Sequence, residues 1–354
     1  MTAVENKPAR TLPVSAVRMG SMSVRVTRRP LIVSVLLAIA VLAVVAVSSF
    51  VGDYPLPAQD VLAALLGNGT TATDFVVLDL RLARALCAVT IGAALGASGA
   101  AFQALTRNPL GSPDIIGFTS GAATGALLQI LIFGGTALAI AGGALFGGLA
   151  SALVVYLLAM GRGAVGYRLV LVGIGLNAFL WAINWYLLIS ARLEDAMSAQ
   201  VWLTGSLNGR SWSQLWPVLA VLVICLPLLM IASRPLGLLE MGDDAARALG
   251  VRADRTRVVI VVLAVALAAG ATATAGPIAF VALAAPQLAK RLTGSVAVSV
   301  LPAALMGAFV LTTSDLVAQR LFAPTQLPVG IATGVVGGLY LIWLLLSEWK
   351  KGRG

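Results

Sequence analysis

The chain is 354 residues long, 59% hydrophobic and only 11% charged, with a mean hydropathy of +0.98 and a net charge of +10. Soluble domains carry about 25% charged residues, so this composition excludes a water-soluble globular protein and specifies an all-α polytopic membrane protein. Histidine is absent, which removes the commonest metal ligand and the commonest proton carrier near neutral pH.

Residues 1–30 hold three prolines and six basic residues and read as a disordered cytoplasmic tail, with a helix lying on the bilayer surface as the alternative. The uncharged run Leu31–Val51 follows. At 1.5 Å per residue it crosses a hydrocarbon core of about 30 Å, and it exceeds the roughly 7–15 apolar residues of a secretory signal. Further apolar runs lie near 82–104, 115–134, 137–159, 169–190, 213–232, 258–275, 277–289, 297–314 and 329–346. This predicts about ten transmembrane helices in one domain over 31–349, the eighth short and broken by Pro286, and a cytoplasmic tail at 350–354. Segments 52–79 and 191–212 are long enough for short surface helices.

With the amino terminus in the cytoplasm, 19 of the 24 Lys and Arg fall inside, and Arg81, Arg84, Arg192, Arg210 and Arg320 fall outside. That is the positive-inside asymmetry of a multi-pass cytoplasmic-membrane protein with both termini inside. It accounts for the basic charge through membrane lipid and topology, with no nucleic-acid partner. The middle thirds of the apolar runs lack Asp, Glu, Lys and Arg, where a proton-coupled secondary carrier would keep them. No G-x-x-x-x-G-K-[ST] phosphate loop exists, so the chain reads as a non-enzyme whose energy comes from a partner or a gradient. Cys87 and Cys225 sit in apolar runs without metal-ligand spacing and read as small core residues. Gly92/Gly96, Gly143/Gly147 and Gly330/Gly334, each four apart, read as close helix contacts.

One segment breaks the apolar pattern: "RPLGLLEMGDDAARALGVRADRTR", Arg234–Arg257, has five arginines and four acids. Each Asp or Arg at mid-bilayer costs about 2.5–3.5 kcal/mol on insertion scales, so it lies outside hydrocarbon. Leu238, Leu239, Met241, Ala245, Ala246 and Leu249 recur at roughly helical spacing, and Gly250 stands where a C-terminal cap belongs. The pattern predicts short amphipathic helices over 235–250.

"RNPLGSPDIIGFTSGAATGA" at Arg107–Ala126 resembles the signature of the permease family for iron-siderophores, haem and cobalamin. "RLAR" at Arg81, "LLEMGDDAARALGV" at Leu238, "AGPIAFVALAAPQLAKRLTG" at Ala275 and "QLPVGIATGVVGGLYLIWLL" at Gln326 agree in order. "GSLNG" at Gly205, "LLEMGDD" and "GGLYLIWLL" are most similar to the ferric enterobactin type, whose permease pairs with a non-identical sister. Three positions depart from the usual pattern: Ala83 for proline, Gln287 for histidine and Gln326 for glutamate.

The resemblance implies the permease fold of a type II ATP-binding cassette importer, with this chain as the subunit that passes ferric siderophore; cobalamin or haem is the alternative cargo. It implies a second, non-identical permease, two ATPase subunits that use ATP and Mg, and an extracytoplasmic siderophore-binding protein. No cofactor is expected on this chain. Leu238, Leu239, Glu240, Met241, Gly242, Asp243, Asp244, Leu249 and Gly250 are similar to the coupling helices that dock on the ATPase, where apolar Leu238, Leu239 and Leu249 would anchor and charges set register. Arg81, Arg84 and Arg320 match arginines that meet acidic residues of the binding protein. Asn177, Trp181 and Asn184 on the fifth span, with Gly330 and Gly334 on the tenth, are expected to border the pathway.

Overall fold

Hydrocarbon offers backbone polar groups no partner, so each apolar run must close its own hydrogen bonds as a helix. The computed structural model, which describes residues 14–19, 22–159, 165–295, 297, 299–321 and 325–351, obeys this over all the apolar runs. Ahead of them, β1 (Val14–Met19) pairs antiparallel with β2 (Met22–Thr27), Val14 lying opposite Thr27. The alternation in MSVRVT suits a paired strand, and residues 1–13, 20 and 21 of the tail expected to be disordered lie outside the described residues.

The helices then run α1 (Arg28–Phe50), α2 (Ala58–Leu65) and α3 (Thr71–Asp74), which continues through a π-helical stretch, Phe75–Leu82, into α4 (Ala83–Thr106). After it come α5 (Phe118–Leu131), α6 (Ala137–Ala159), α7 (Val165–Ser190), α8 (Leu193–Leu203) and α9 (Trp212–Ile231). The chain closes with α10 (Ser233–Glu240), α11 (Asp243–Ala248), α12 (Ala253–Ala275), α13 (Val281–Thr293), α14 (Val300–Arg320) and α15 (Val329–Lys351). Among the described residues seven helices are long and apolar enough to cross a membrane, counting Thr71–Thr106 as one; α5, α13 and the apolar part of α15 are shorter. All ten apolar runs are therefore helical.

Two boundaries differ from expectation. The second span begins at Thr71, because the Thr70/Thr73 capping box starts a helix that the π stretch carries onward. The eighth is interrupted at 276–280, where Gly276 and Phe280 both take positive φ (75° and 68°), while Pro286 lies within α13.

α4 is the central rod, buried along almost its whole length against α9, α12, α13 and α14. Its small residues make this approach possible. A Cβ on Gly99 would fall on the Ala282 carbonyl of α13, so backbone meets backbone there. Gly92 and Gly96 meet Ala303 and Gly307 of α14, and Gly143 and Gly147 of α6 meet Gly121 and Gly125 of α5, as the four-residue spacing predicts. Gly330 abuts the Thr204 carbonyl, whereas Gly334 faces open space. Some hydroxyls inside the bundle donate to their own helix, as in Thr90 to Leu86 O (2.8 Å) and Thr312 to Ala308 O (2.7 Å), while Ser98 of α4 donates across to Ala264 O of α12 (2.7 Å).

Candidate functional site

The charged segment forms two short helices. α10 ends at Glu240, Gly242 turns with φ 121°, α11 follows, and Gly250 (φ 83°) stops it. A positive φ at both turns favours glycine, the one residue without a Cβ clash there. The pair is held to the bundle by a charge hub that sequence spacing did not reveal. Arg257, at the start of α12 and 7% exposed, donates to both carboxylate oxygens of Asp243 (3.0 and 2.9 Å). Arg107, capping α4 with a left-handed φ of 52°, donates to Asp243 (2.6 Å) and to the Leu239 carbonyl (2.9 Å). Burial pushes the Asp243 carboxyl up, but hydrogen bonds and charge from Arg257 and Arg107 outweigh it and hold the group below the usual carboxylate range.

This arrangement corrects the assignment of apolar anchors. Leu239 is 2% exposed and packs in the chain's own core with Leu236 and Ala246, so it has no surface to offer a partner. Leu238 is half-buried against the same core. Met241 (70% exposed) and Leu249 (61%) carry the free apolar surface, flanked by exposed Asp244, while Glu240 is half-buried at the end of α10. The periodicity located the segment, but it could not tell which side of so short a helix faces inward.

At the opposite end of the bundle, Arg81, Arg84 and Arg320 converge, though not as three exposed cations. Arg84 is buried, bonded to Asp315 of α14 through Nε (2.9 Å) and Nη2 (2.8 Å), and donates to Gln326 (2.9 Å). This corrects Arg84 as a docking residue: it is one half of an internal fork-to-fork ion pair. Arg81 donates to the Ser49 carbonyl (3.0 Å) and the Tyr54 carbonyl, fixing the turn after α1. Arg320 faces Asp53 at 3.9 Å. Beside Arg81 and Arg84 lies a cavity of about 210 Å³ lined also by Asp53, Tyr54, Asp315 and Gln326. The ninth apolar run as read from sequence stopped at Ser314, one residue short of Asp315. An acid one turn inside a helix end was the available signal.

The pathway residues divide. Asn177 accepts from Ser120, and Asn184, buried, accepts from Thr124 (2.7 Å) and donates to the Ser120 carbonyl (3.3 Å), so both bind α7 to α5. Trp181, between them, is exposed and meets Trp185 edge-on at 5.7 Å. Gly330 is committed to packing, with its amide donating to the Gly205 carbonyl (3.0 Å). In the turn between α4 and α5, Thr119 donates to Asp114 (2.6 Å). Burial pushes that carboxyl up to about 6, against the Thr119 bond that pulls it down.

The signature turn, the charged helix pair and the arginine cluster thus sit on one ten-span bundle. Residues 36–347 match the FecCD transport family. This chain belongs to that family. It is 45% identical over 300 residues to the ferric enterobactin transport system permease protein of Escherichia coli (strain K12), covering 85% of this chain and 91% of that one. It is 33% identical over 330 residues to the iron(3+)-hydroxamate import system permease protein of Bacillus subtilis (strain 168), covering 91% and 98%. Among solved structures, a metal-chelate type ABC transporter in an inward-facing conformation superposes with a TM-score of 0.81 at 28% identity, over 90% of this chain and 99% of that one. The chain is therefore a multi-pass transport permease with the fold of a type II importer.

Proposed function

We propose that this FecCD-family chain is the transmembrane subunit of an ATP-driven importer that carries ferric siderophore inward across the cytoplasmic membrane. The observation that carries this reading is the 45% identity to a ferric enterobactin permease along nearly the whole chain. The α10–α11 end lies in the cytoplasm, with both termini, and presents Met241 and Leu249 to an ATPase that binds ATP and Mg. The end bearing Arg81 and Arg320 receives the extracytoplasmic binding protein. A second, non-identical permease completes the pathway, whose walls include the exposed faces of α7 and α15 beside Trp181 and Gly334.

The charge distribution supports an external energy source. The paired charges named above, Arg84 with Asp315 and Arg257 with Asp243, lie at or beyond the edges of the apolar runs 82–104, 258–275 and 297–314, away from the mid-membrane positions a proton relay would use. The test is uptake of radiolabelled ferric siderophores by a strain lacking this subunit, with and without the gene restored. Siderophore uptake that returns with the gene and stops on ATP depletion is expected. Restored uptake of cobalamin or haem instead, or uptake that follows the proton gradient without an ATPase, contradicts it.

A further inference from the structure

The arginine cluster at the α2–α3 end carries an uneven charge. Three guanidiniums, Arg81, Arg84 and Arg320, face two carboxylates, Asp53 and Asp315. Asp315 is spent: Arg84 takes both of its oxygens and Gln319 donates to it as well (2.9 Å). That neutral, buried pair leaves Arg81 and Arg320 against Asp53 alone. Arg81 gives its donors to backbone carbonyls, whose dipoles satisfy its hydrogens without cancelling its charge.

Arg320 is the least satisfied group of the three. Its contact with Asp53 at 3.9 Å is too long for a hydrogen bond. Its Nε is buried and has no hydrogen-bond partner among the described residues. Asp53 itself is 47% exposed on the non-helical turn between α1 and α2, and Gln326 donates to it from the far side. The chain Asp315–Arg84–Gln326–Asp53 therefore ends on a carboxylate that touches the charged arginine loosely, from a non-helical turn.

We propose that Asp53 is an internal occupant of the docking site, holding on Arg320 and Gln326 the place that an acidic side chain of the extracytoplasmic binding protein takes when it docks. The proposal rests on the docking role given to this end of the bundle. A planar carboxylate brought in by a partner can reach the guanidinium as a bidentate acceptor, which is stronger than the loose contact it displaces. Asp53 keeps the two arginines partly neutralised until then, so that docking exchanges one carboxylate for another. The partner's chemistry follows: an Asp or Glu at the centre of a complementary acidic patch, able to take the place of Asp53, which with Gln326 lines a cavity of about 210 Å³.

The experiment uses the assembled importer in lipid nanodiscs, titrated with its fluorescently labelled binding protein at low salt. Asp53→Asn removes the competing charge and keeps an oxygen for Gln326. It should tighten docking about three-fold, the range of one exposed ion pair, and raised salt should shrink the gain. Asp53→Ser, a second way of removing the charge, should act in the same direction. Arg320→Gln should weaken docking, and in its background Asp53→Asn should no longer tighten it. If both Asp53 variants leave docking unchanged or weaker while Arg320→Gln still weakens it, the occupant role is wrong and the docking role stands. If Arg320→Gln leaves docking unchanged, the docking role fails and the proposal with it.

Discussion

Asp243→Ala removes the hub between the coupling helices and the bundle. Three charge-assisted bonds are lost, two from Arg257 and one from Arg107. Breaking a buried pair by deleting one partner costs about 3–5 kcal/mol, because the surviving charge stays desolvated. Here the Asp243 side chain is 27% exposed, and Arg257 retains a 3.6 Å contact with Asp254, so solvent and a substitute partner reduce the figure. We expect about 2–3 kcal/mol. The carboxyl is held low in the folded protein, so its contribution is complete above the ordinary carboxylate range and is lost as the pH falls below about 4. Differential scanning fluorimetry of purified protein in detergent at pH 7, with limited proteolysis at 233–257, measures the loss. Asp243→Asn, which keeps one acceptor, should lie between parent and Asp243→Ala. An Asp243→Ala protein that melts and is cleaved like the parent would refute the hub, and the charge of this segment would then be a solvated surface.

Leu249→Asp should abolish ATPase pull-down with the melting temperature unchanged, whereas Leu239→Asp, which buries a carboxylate in the core, should cost several kcal/mol of stability; equal behaviour of the two would contradict the division between them. Arg84→Ala strands the 3%-exposed Asp315 and should destabilise by about 3–5 kcal/mol, with the Arg84→Ala/Asp315→Ala double variant recovering much of it in a double-mutant cycle. Asp114, whose carboxyl sits near 6, weakens the fold as the pH rises from about 4 to 6, since the folded state holds the proton that the unfolded state has released. Asp114→Asn keeps the acceptor for Thr119 and should stabilise at pH 7.5 by up to about 3 kcal/mol, with the gain vanishing near pH 4 in the same melting assay. Gly99→Val should prevent folding, because its side chain falls on the Ala282 carbonyl, while Val at Gly334, which faces open space, should be tolerated in expression tests.

Which runs enter the membrane was decided by the sequence alone. Uncharged stretches of the right length have one way to satisfy their backbone in hydrocarbon, so Leu31–Val51 or Ala137–Ala159 needed no tertiary partner to be read as helices. The same holds for the Gly92/Gly96 contact, since a four-residue spacing of small side chains already describes a close helix crossing. Family membership was legible too, through motifs that lie in order along the chain and depart from the usual pattern only at Ala83, Gln287 and Gln326. What each charged residue does was decided only by the fold. Arg84 and Arg320 look alike in sequence, and what separates them is Asp315, 231 residues from Arg84, which neutralises one and leaves the other to a loose contact. Asp243 reads as a rim charge until Arg107 and Arg257 arrive from α4 and α12. Leu239 and Leu249 have the same side chain in the same short motif, yet the docking of α10 on the bundle buries one and leaves the other free. An ion pair or a buried face depends on partners far away in the chain, and only packing brings those within reach.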